Sequence, residues 1–187
     1  SPICTGSNTS VTVSGYNGTI QWEQSANGST GWTVVSGGSG STSPTYTTPN
    51  LSVTTWYRAT VTHGVCGSSN SNPVQVSIDQ LSAGGTASAA ASHVCSGSST
   101  SVTVTGYAGN IQWKQSPNGT TGWVNVSGGS GATSATYTTP ALTSTTYYRA
   151  DITFGTCNPA YSTIASVTVD NIAPTAICKD IIVQLNS

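Results

Sequence analysis

Five cysteines are the side chains of this 187-residue chain whose spacing points most directly to chemistry. The stretch from Cys4 to Cys66 aligns without a gap to the stretch from Cys95 to Cys157, and 43 of the 63 aligned positions are identical. Four of the thiols therefore occupy matching places in two copies of one unit. They lack the CxxC or nearby-His spacing of a zinc site, so they read as disulfide partners. The expected pairing is within each repeat, Cys4 with Cys66 and Cys95 with Cys157, which leaves Cys178 without a partner. Bonds of this kind form in an oxidising compartment. Closing each loop would contribute about 4 kcal/mol in the chain-entropy model, useful to a unit of this size with few large apolar side chains.

The internal duplication tests every other candidate, because a group that performs chemistry in a repeated unit should stand in both copies. His63 is Phe154 in the second copy, and His93 lies between the repeats, so neither serves as a shared general base. Glu23 becomes Lys114 and Asp151 becomes Thr60, which removes the paired carboxylates of a glycosidase. Only Asp79 and Asp170 correspond among the acids. Ca²⁺ takes six to eight oxygens, and two isolated carboxylates read instead as turn or linker contacts. No catalytic group, metal site or cofactor is expected. The loops "SGGSGSTS" (36–43) and "SGGSGATS" precede no helix, so they are not phosphate cradles and read as flexible. Arg58 and Arg149 are shared, and each is expected to lay its stem on an exposed sheet or meet a tyrosine ring. Trp32 and Trp123 each follow an Asn-Gly turn. They could stack on sugar rings, or fold over their own hairpins and seal the edge of the sheet.

The elements that hold these residues are strands. "TSVTVSGY" (9–16), "TIQWEQ" (19–24), "GWTVVSG" (31–37), "PTYTTP" (44–49), "TTWYRATVTHG" (54–64) and "NPVQVSID" (72–79) alternate or are rich in β-branched and aromatic residues, with turn residues between them. About seven short strands per unit, with a Trp on the third and a Tyr before the second cysteine, describe an all-β chain of two tandem immunoglobulin-like β-sandwiches. Trp22 and Trp113 are placed between the sheets. The boundaries read as repeat one over 1–79 with its first strand missing or supplied elsewhere, a linker over 80–85, repeat two over 86–170 with 86–94 as its first strand, and the start of a third module over 171–187. In that tail, 174–185 alternates like a strand, either belonging to a following module or pairing with another copy of the chain.

Bulk composition narrows the partners. Charged residues make up 5% of the chain and the formal net charge is −1, which gives no attraction for nucleic acid or an anionic membrane. No apolar run reaches a membrane span. The chain contains no Met, the expectation for a mature or excised piece of a longer product.

The ordered set "IQWEQSANGSTGW", "TTWYR" and "GVC", repeated as "IQWKQSPNGTTGW", "TTYYR" and "GTC", resembles the Ig-like repeats of large secreted surface proteins and adhesins of Bacteroidota, over residues 4–79 and 95–170. The closing "NIAPTAICKDIIVQLNS" is similar to the opening of a hyalin-repeat-like module found in such proteins. This resemblance implies export to the cell surface and a non-catalytic role in an adhesin, as stalk or filament. The partners are then neighbouring repeats of the same polypeptide, surface glycans or other copies of the chain. A pair of carbohydrate-binding modules and an accessory region of a large secreted enzyme are the alternatives.

Overall fold

A computed structural model describes residues 2–172 and 175. The tail strand expected over 174–185, its Cys178 and the third module lie outside the described residues.

The first module comprises β1 (Ile3–Cys4), β2 (Ser10–Thr12), β3 (Thr19–Ser25), β4 (Thr33–Val34), β5 (Thr45–Thr47), β6 (Thr55–Thr62), β7 (Ser68–Asn70), β8 (Val74–Val76) and β9 (Ile78–Asp79). One sheet pairs β2 with β5; the other runs β4-β3-β6-β7, with β8 also paired to β6. β1 lies parallel to β9. The second module repeats this plan with β10 (Thr86–Ala89), β11 (His93–Cys95), β12 (Ser101–Thr105), β13 (Asn110–Ser116), β14 (Val124–Asn125), β15 (Thr136–Thr138), β16 (Thr146–Thr153), β17 (Ala160–Tyr161) and β18 (Ala165–Asp170). Its smaller sheet gains a strand, because β10 pairs antiparallel with β12. Its first-strand segment is split, since β11 crosses over to run parallel to β18.

Strand periodicity sets the faces. In β3, Ile20, Trp22 and Ser25 are buried while the residues between them are not; β13 repeats this at Ile111, Trp113 and Ser116. These side chains meet the opposite sheet, and each module closes its own core. Val11, Ile20, Trp22, Tyr46, Leu51, Tyr57 and Ala59 belong to the first, and Val102, Val104, Trp113, Tyr137, Tyr148 and Ile152 to the second. Trp22 and Trp113 sit between the sheets as expected, at 1% and 0% exposure.

The glycine-serine loops expected to be flexible are tethered to these cores. Trp22 Nε1 donates to the Ser43 carbonyl at 2.9 Å, and the Tyr46 hydroxyl donates to the Gly37 carbonyl at 2.9 Å. The second copy repeats both bonds, from Trp113 to Ser134 and from Tyr137 to Gly128. Gly38 has φ +66°, and a Cβ there would meet the Thr47 carbonyl oxygen. Glycine is therefore required by close approach rather than by flexibility. The loop sequence signals mobility because the buried donors that fix it lie outside the loop, on β3 and β5.

Among the described residues, one buried side-chain hydroxyl in each core is unpartnered. The hydroxyls of Tyr57 and Tyr148 are buried without a hydrogen-bond partner. Burial, reinforced at alkaline pH by repulsion from an ionised Tyr46, pushes the Tyr57 phenol up to about 12 from 10.0. Burial followed by Tyr137 does the same to Tyr148. Thr55 acts the other way on Tyr57, but its hydroxyl proton is committed to the Val53 carbonyl. The folded-state pKa lies above the unfolded one, so the linked stability is complete below pH 10 and is lost as pH rises toward 12. Alkaline unfolding followed by circular dichroism should begin in that window. Tyr57→Phe should leave stability at neutral pH unchanged or raise it by up to about 1 kcal/mol, since it removes an unsatisfied buried hydroxyl.

Candidate functional site

Two arrangements hold the chemistry-bearing residues, and neither is a cleft with converging catalytic groups. The first is the junction between the modules. Thr156 and Cys157 lie in the turn after β16, at the end of module two that faces module one. Cys4 and Asp79 lie side by side in the β1–β9 register, at the facing end of module one. Cys4 and Cys157 form a disulfide with a Cα–Cα distance of 5.3 Å. Asp79 Oδ2 accepts a hydrogen bond from the Thr156 backbone N–H at 3.0 Å. The Thr156 hydroxyl lies within reach of both the Pro2 carbonyl and the same carboxylate oxygen. Gly155 has φ +51°, and a Cβ there would collide with the Asp79 carboxylate, so only glycine admits this capping. The connecting segment is bound too. Phe154 N–H donates to Ser82 Oγ, Ala83 and Ala108 exchange backbone hydrogen bonds, and Gly84 is packed against the Tyr161 carbonyl.

This geometry corrects the cysteine pairing expected from sequence. Cys4 does not bond to Cys66, nor Cys95 to Cys157; Cys66 and Cys95 are exposed free thiols. The reason is strand direction. β3 is antiparallel to β6, and β2 leads into β3 through a tight turn, so β2 and β6 run the same way. The entry to β2, where Cys4 lies, is at the pole where β6 begins; Cys66 follows the end of β6. Eight strand residues at about 3.3 Å each separate those poles by roughly 25 Å, against a limit near 7 Å between bridged Cα atoms. Asp79 is thus a linker contact, as one reading of its repeat position expected, whereas Thr156 carried no signal because its counterpart is Val65.

The second arrangement lies on the outer face of the larger sheets. Arg58 Cζ sits 4.3 Å from the Trp32 ring centroid, and Arg149 Cζ sits 4.6 Å from that of Trp123. Both tryptophans are half-buried, each folded back over its own hairpin with one ring face near a guanidinium. Arg149 is also 4.2 Å from the Tyr161 ring. Arg58 Nε donates to Glu23 Oε2 at 2.8 Å. In module two the residue facing Arg149 is Lys114, and the carboxylate has moved to Asp151, which accepts from Arg149 Nε at 2.8 Å and pairs with Lys114 at 3.6 Å. The changes Glu23 to Lys114 and Thr60 to Asp151 look unrelated in sequence, yet together they keep one carboxylate against each arginine.

The hairpin tips that carry the tryptophans are fixed by a buried serine. Ser25 Oγ accepts from the Asn27 and Gly28 N–H groups and donates to the Thr30 carbonyl at 2.6 Å; Ser116 repeats all three bonds. Among the described residues no group of three or more His, Cys, Asp or Glu side chains forms a metal cage, and no helix is long and apolar enough to cross a membrane.

The profile described as Domain of unknown function (DUF8696) matches the chain twice, over residues 1–80 and 83–171. No curated relative matches it in sequence. Solved structures that resemble it include murine CEACAM1b, with 15% identity, TM-score 0.56, and coverage of 91% of this chain and 96% of that one. The N-terminal eight Ig domains of Down Syndrome Cell Adhesion Molecule align with 12% identity and TM-score 0.59, over 90% of this chain and 23% of that one. A group of titin domains aligns with 14% identity and TM-score 0.56, over 89% and 61%. At these identities the likeness establishes the Ig-like fold of the tandem modules.

Proposed function

The chain belongs to the family described as Domain of unknown function (DUF8696), and from that premise we propose that its two modules are a rigid, non-catalytic spacer in the stalk or adhesive region of a secreted bacterial cell-surface protein. The observation that carries this reading is the junction. Two small sandwiches, each with its own core, are joined by a disulfide and by the Asp79–Thr156 cap. A stalk must transmit orientation and load between modules, and a covalent, hydrogen-bonded junction suits that task. The Cys4–Cys157 bond supports an oxidising compartment for this spacer, since such bonds persist mainly outside the cytosol. The resemblance to Bacteroidota surface repeats and the low charge agree with an exported, wet, hydroxyl-rich surface.

Spin labels at the exposed positions 34 and 124 test the spacer. A single narrow distance distribution is expected in the oxidised chain. A broad distribution with the Cys4–Cys157 bond intact would refute rigidity. The carbohydrate-binding alternative makes the opposite demand on the tryptophans. Trp32 covers Arg58 and its own hairpin, so Trp32→Ala should lower module stability by about 1–2 kcal/mol, through lost burial and cation–π contact, and leave glycan-array binding unchanged. Loss of glycan binding at an unchanged melting temperature would favour the binding module.

A further inference from the structure

Among the described residues, the two free thiols are the positional counterparts of the pair that bonds at the junction between the modules. Cys95 occupies in module two the place of Cys4: it is paired in parallel register with Asp170, as Cys4 is with Asp79. Its thiol is exposed, and so is Asp170. Cys66 occupies in module one the place of Cys157. It follows Gly64 (φ +49°), as Cys157 follows Gly155 (φ +51°), in a turn closed by the same backbone bond, Cys66 N–H to His63 O and Cys157 N–H to Phe154 O. Val65, between Gly64 and Cys66, is fully exposed, at 104%; its counterpart Thr156 is the residue whose N–H meets Asp79.

A second feature at the Cys66 pole points to an occupant. A groove of about 450 Å³ runs beside Cys66, lined by Gly15, Tyr16, Asn17, Asn70 and Ser71 among others. The corresponding surface in module two, formed by Gly106, Tyr107, Ala108, Tyr161 and Ser162, is where the segment leaving Asp79 is seated: Ala83 bridges Ala108, and Gly84 packs against Tyr161. The groove is therefore the positional counterpart, in module one, of the surface that residues 83 and 84 cover in module two.

We infer that the Cys66 pole of module one and the Cys95–Asp170 pole of module two are complementary docking faces, and that a second copy of this chain docks on them head to tail through a Cys66–Cys95 disulfide. The bond forms when the two thiols lose two protons and two electrons to a disulfide oxidant; with glutathione disulfide, one oxidised molecule is reduced to two of glutathione. The Asp170 carboxylate then caps the Val65 N–H as Asp79 caps Thr156, and the propagated array has one disulfide per junction. The inference goes beyond the spacer reading, which needs only the junction inside the chain.

The test uses the full chain carrying Cys178→Ser, at roughly millimolar protein to match the effective concentration of a short linker, in a glutathione redox buffer. Non-reducing electrophoresis should show a ladder, and peptide mapping should find Cys66–Cys95 between chains in at least tenfold excess over Cys66–Cys66 and Cys95–Cys95. Cys66→Ser and Cys95→Ser, each added to that background, should remain monomeric alone and give only a one-to-one dimer when mixed. Random thiol chemistry would instead yield homodimers from each variant alone, which overturns the proposal. A monomeric parent with both thiols still titratable overturns it too, as does a Cys95–Cys178 bond within the unsubstituted chain. Mapping Cys4–Cys157 in the same samples separates the two readings: its absence would sink the spacer, while its presence without a ladder sinks only the docking.

Discussion

Trp113→Ala is expected to destabilise the second module by about 3–5 kcal/mol while the first module keeps its native spectrum. The indole is fully buried between the sheets. Its removal opens a cavity lined by Tyr137, Tyr148 and neighbouring aliphatic side chains of the same cluster, and those neighbours cannot collapse without breaking β13 from its place against β16. The loss is more than apolar. Trp113 Nε1 donates to the Ser134 carbonyl, so alanine also leaves that loop without one of the buried donors that hold it. Each module has a separate core, so the damage should stay local, and Trp22→Ala should show the mirror image. Residue-resolved NMR melting curves of the two variants check this. Equal loss in both modules from either substitution would show that the cores do not fold as independent units.

Replacing both Cys4 and Cys157 by Ser is expected to lower the stability of whichever module unfolds first by about 4 kcal/mol in the chain-entropy model, although the bond staples neither core. Cys4 sits beside Asp79 in register. With module one folded, the bond in effect ties Asp79 to Cys157 and closes a loop of about 78 residues containing nearly all of module two. The same argument, with module two folded, applies to module one. Unfolding either module alone therefore happens inside a closed loop, and opening the bond restores the entropy of the free chain. Differential scanning calorimetry of the double variant should show the first transition at lower temperature and the second nearly unmoved, because the second module unfolds into a loop only about doubled in length, a difference of roughly 0.6 kcal/mol. An unmoved first transition would mean that the bond closes no loop that constrains the unfolded module. Reductant applied to the native chain should reproduce the shift, and spin-label distances between the modules should broaden with it.

These expectations rest on features that differ in how far the sequence discloses them. Strand periodicity placed Ile20, Trp22, Tyr57 and Ala59 inward, because alternation on a half-buried sheet is a local property of the chain. The gap-free duplication gave the repeated unit, and with it the identity of the paired positions 22 and 113, 32 and 123, 58 and 149. The Asn-Gly turns before Trp32 and Trp123 were legible for the same reason: two adjacent residues dictate them. The fixed glycine-serine loops were not, since their anchors are indoles and phenols donated from other strands.

The sequence by itself determined that this is an all-β chain of two like modules, that aromatic side chains fill its sandwiches and that Asp79 and Asp170 alone correspond among its acids. Tertiary structure decided which cysteines meet. Four thiols at matching positions satisfy pairing within a repeat and pairing across a junction equally well, because composition carries no direction. Strand polarity breaks that tie by putting Cys4 and Cys66 at opposite poles of one sandwich and Cys4 and Cys157 at a shared boundary. The moved carboxylate has the same origin. Glu23 lies on the strand beside Arg58, whereas Asp151 lies two residues beyond Arg149 on its own strand. Residues two apart on a strand share a face, so either position reaches the guanidinium, and only the folded sheet shows them to be one site.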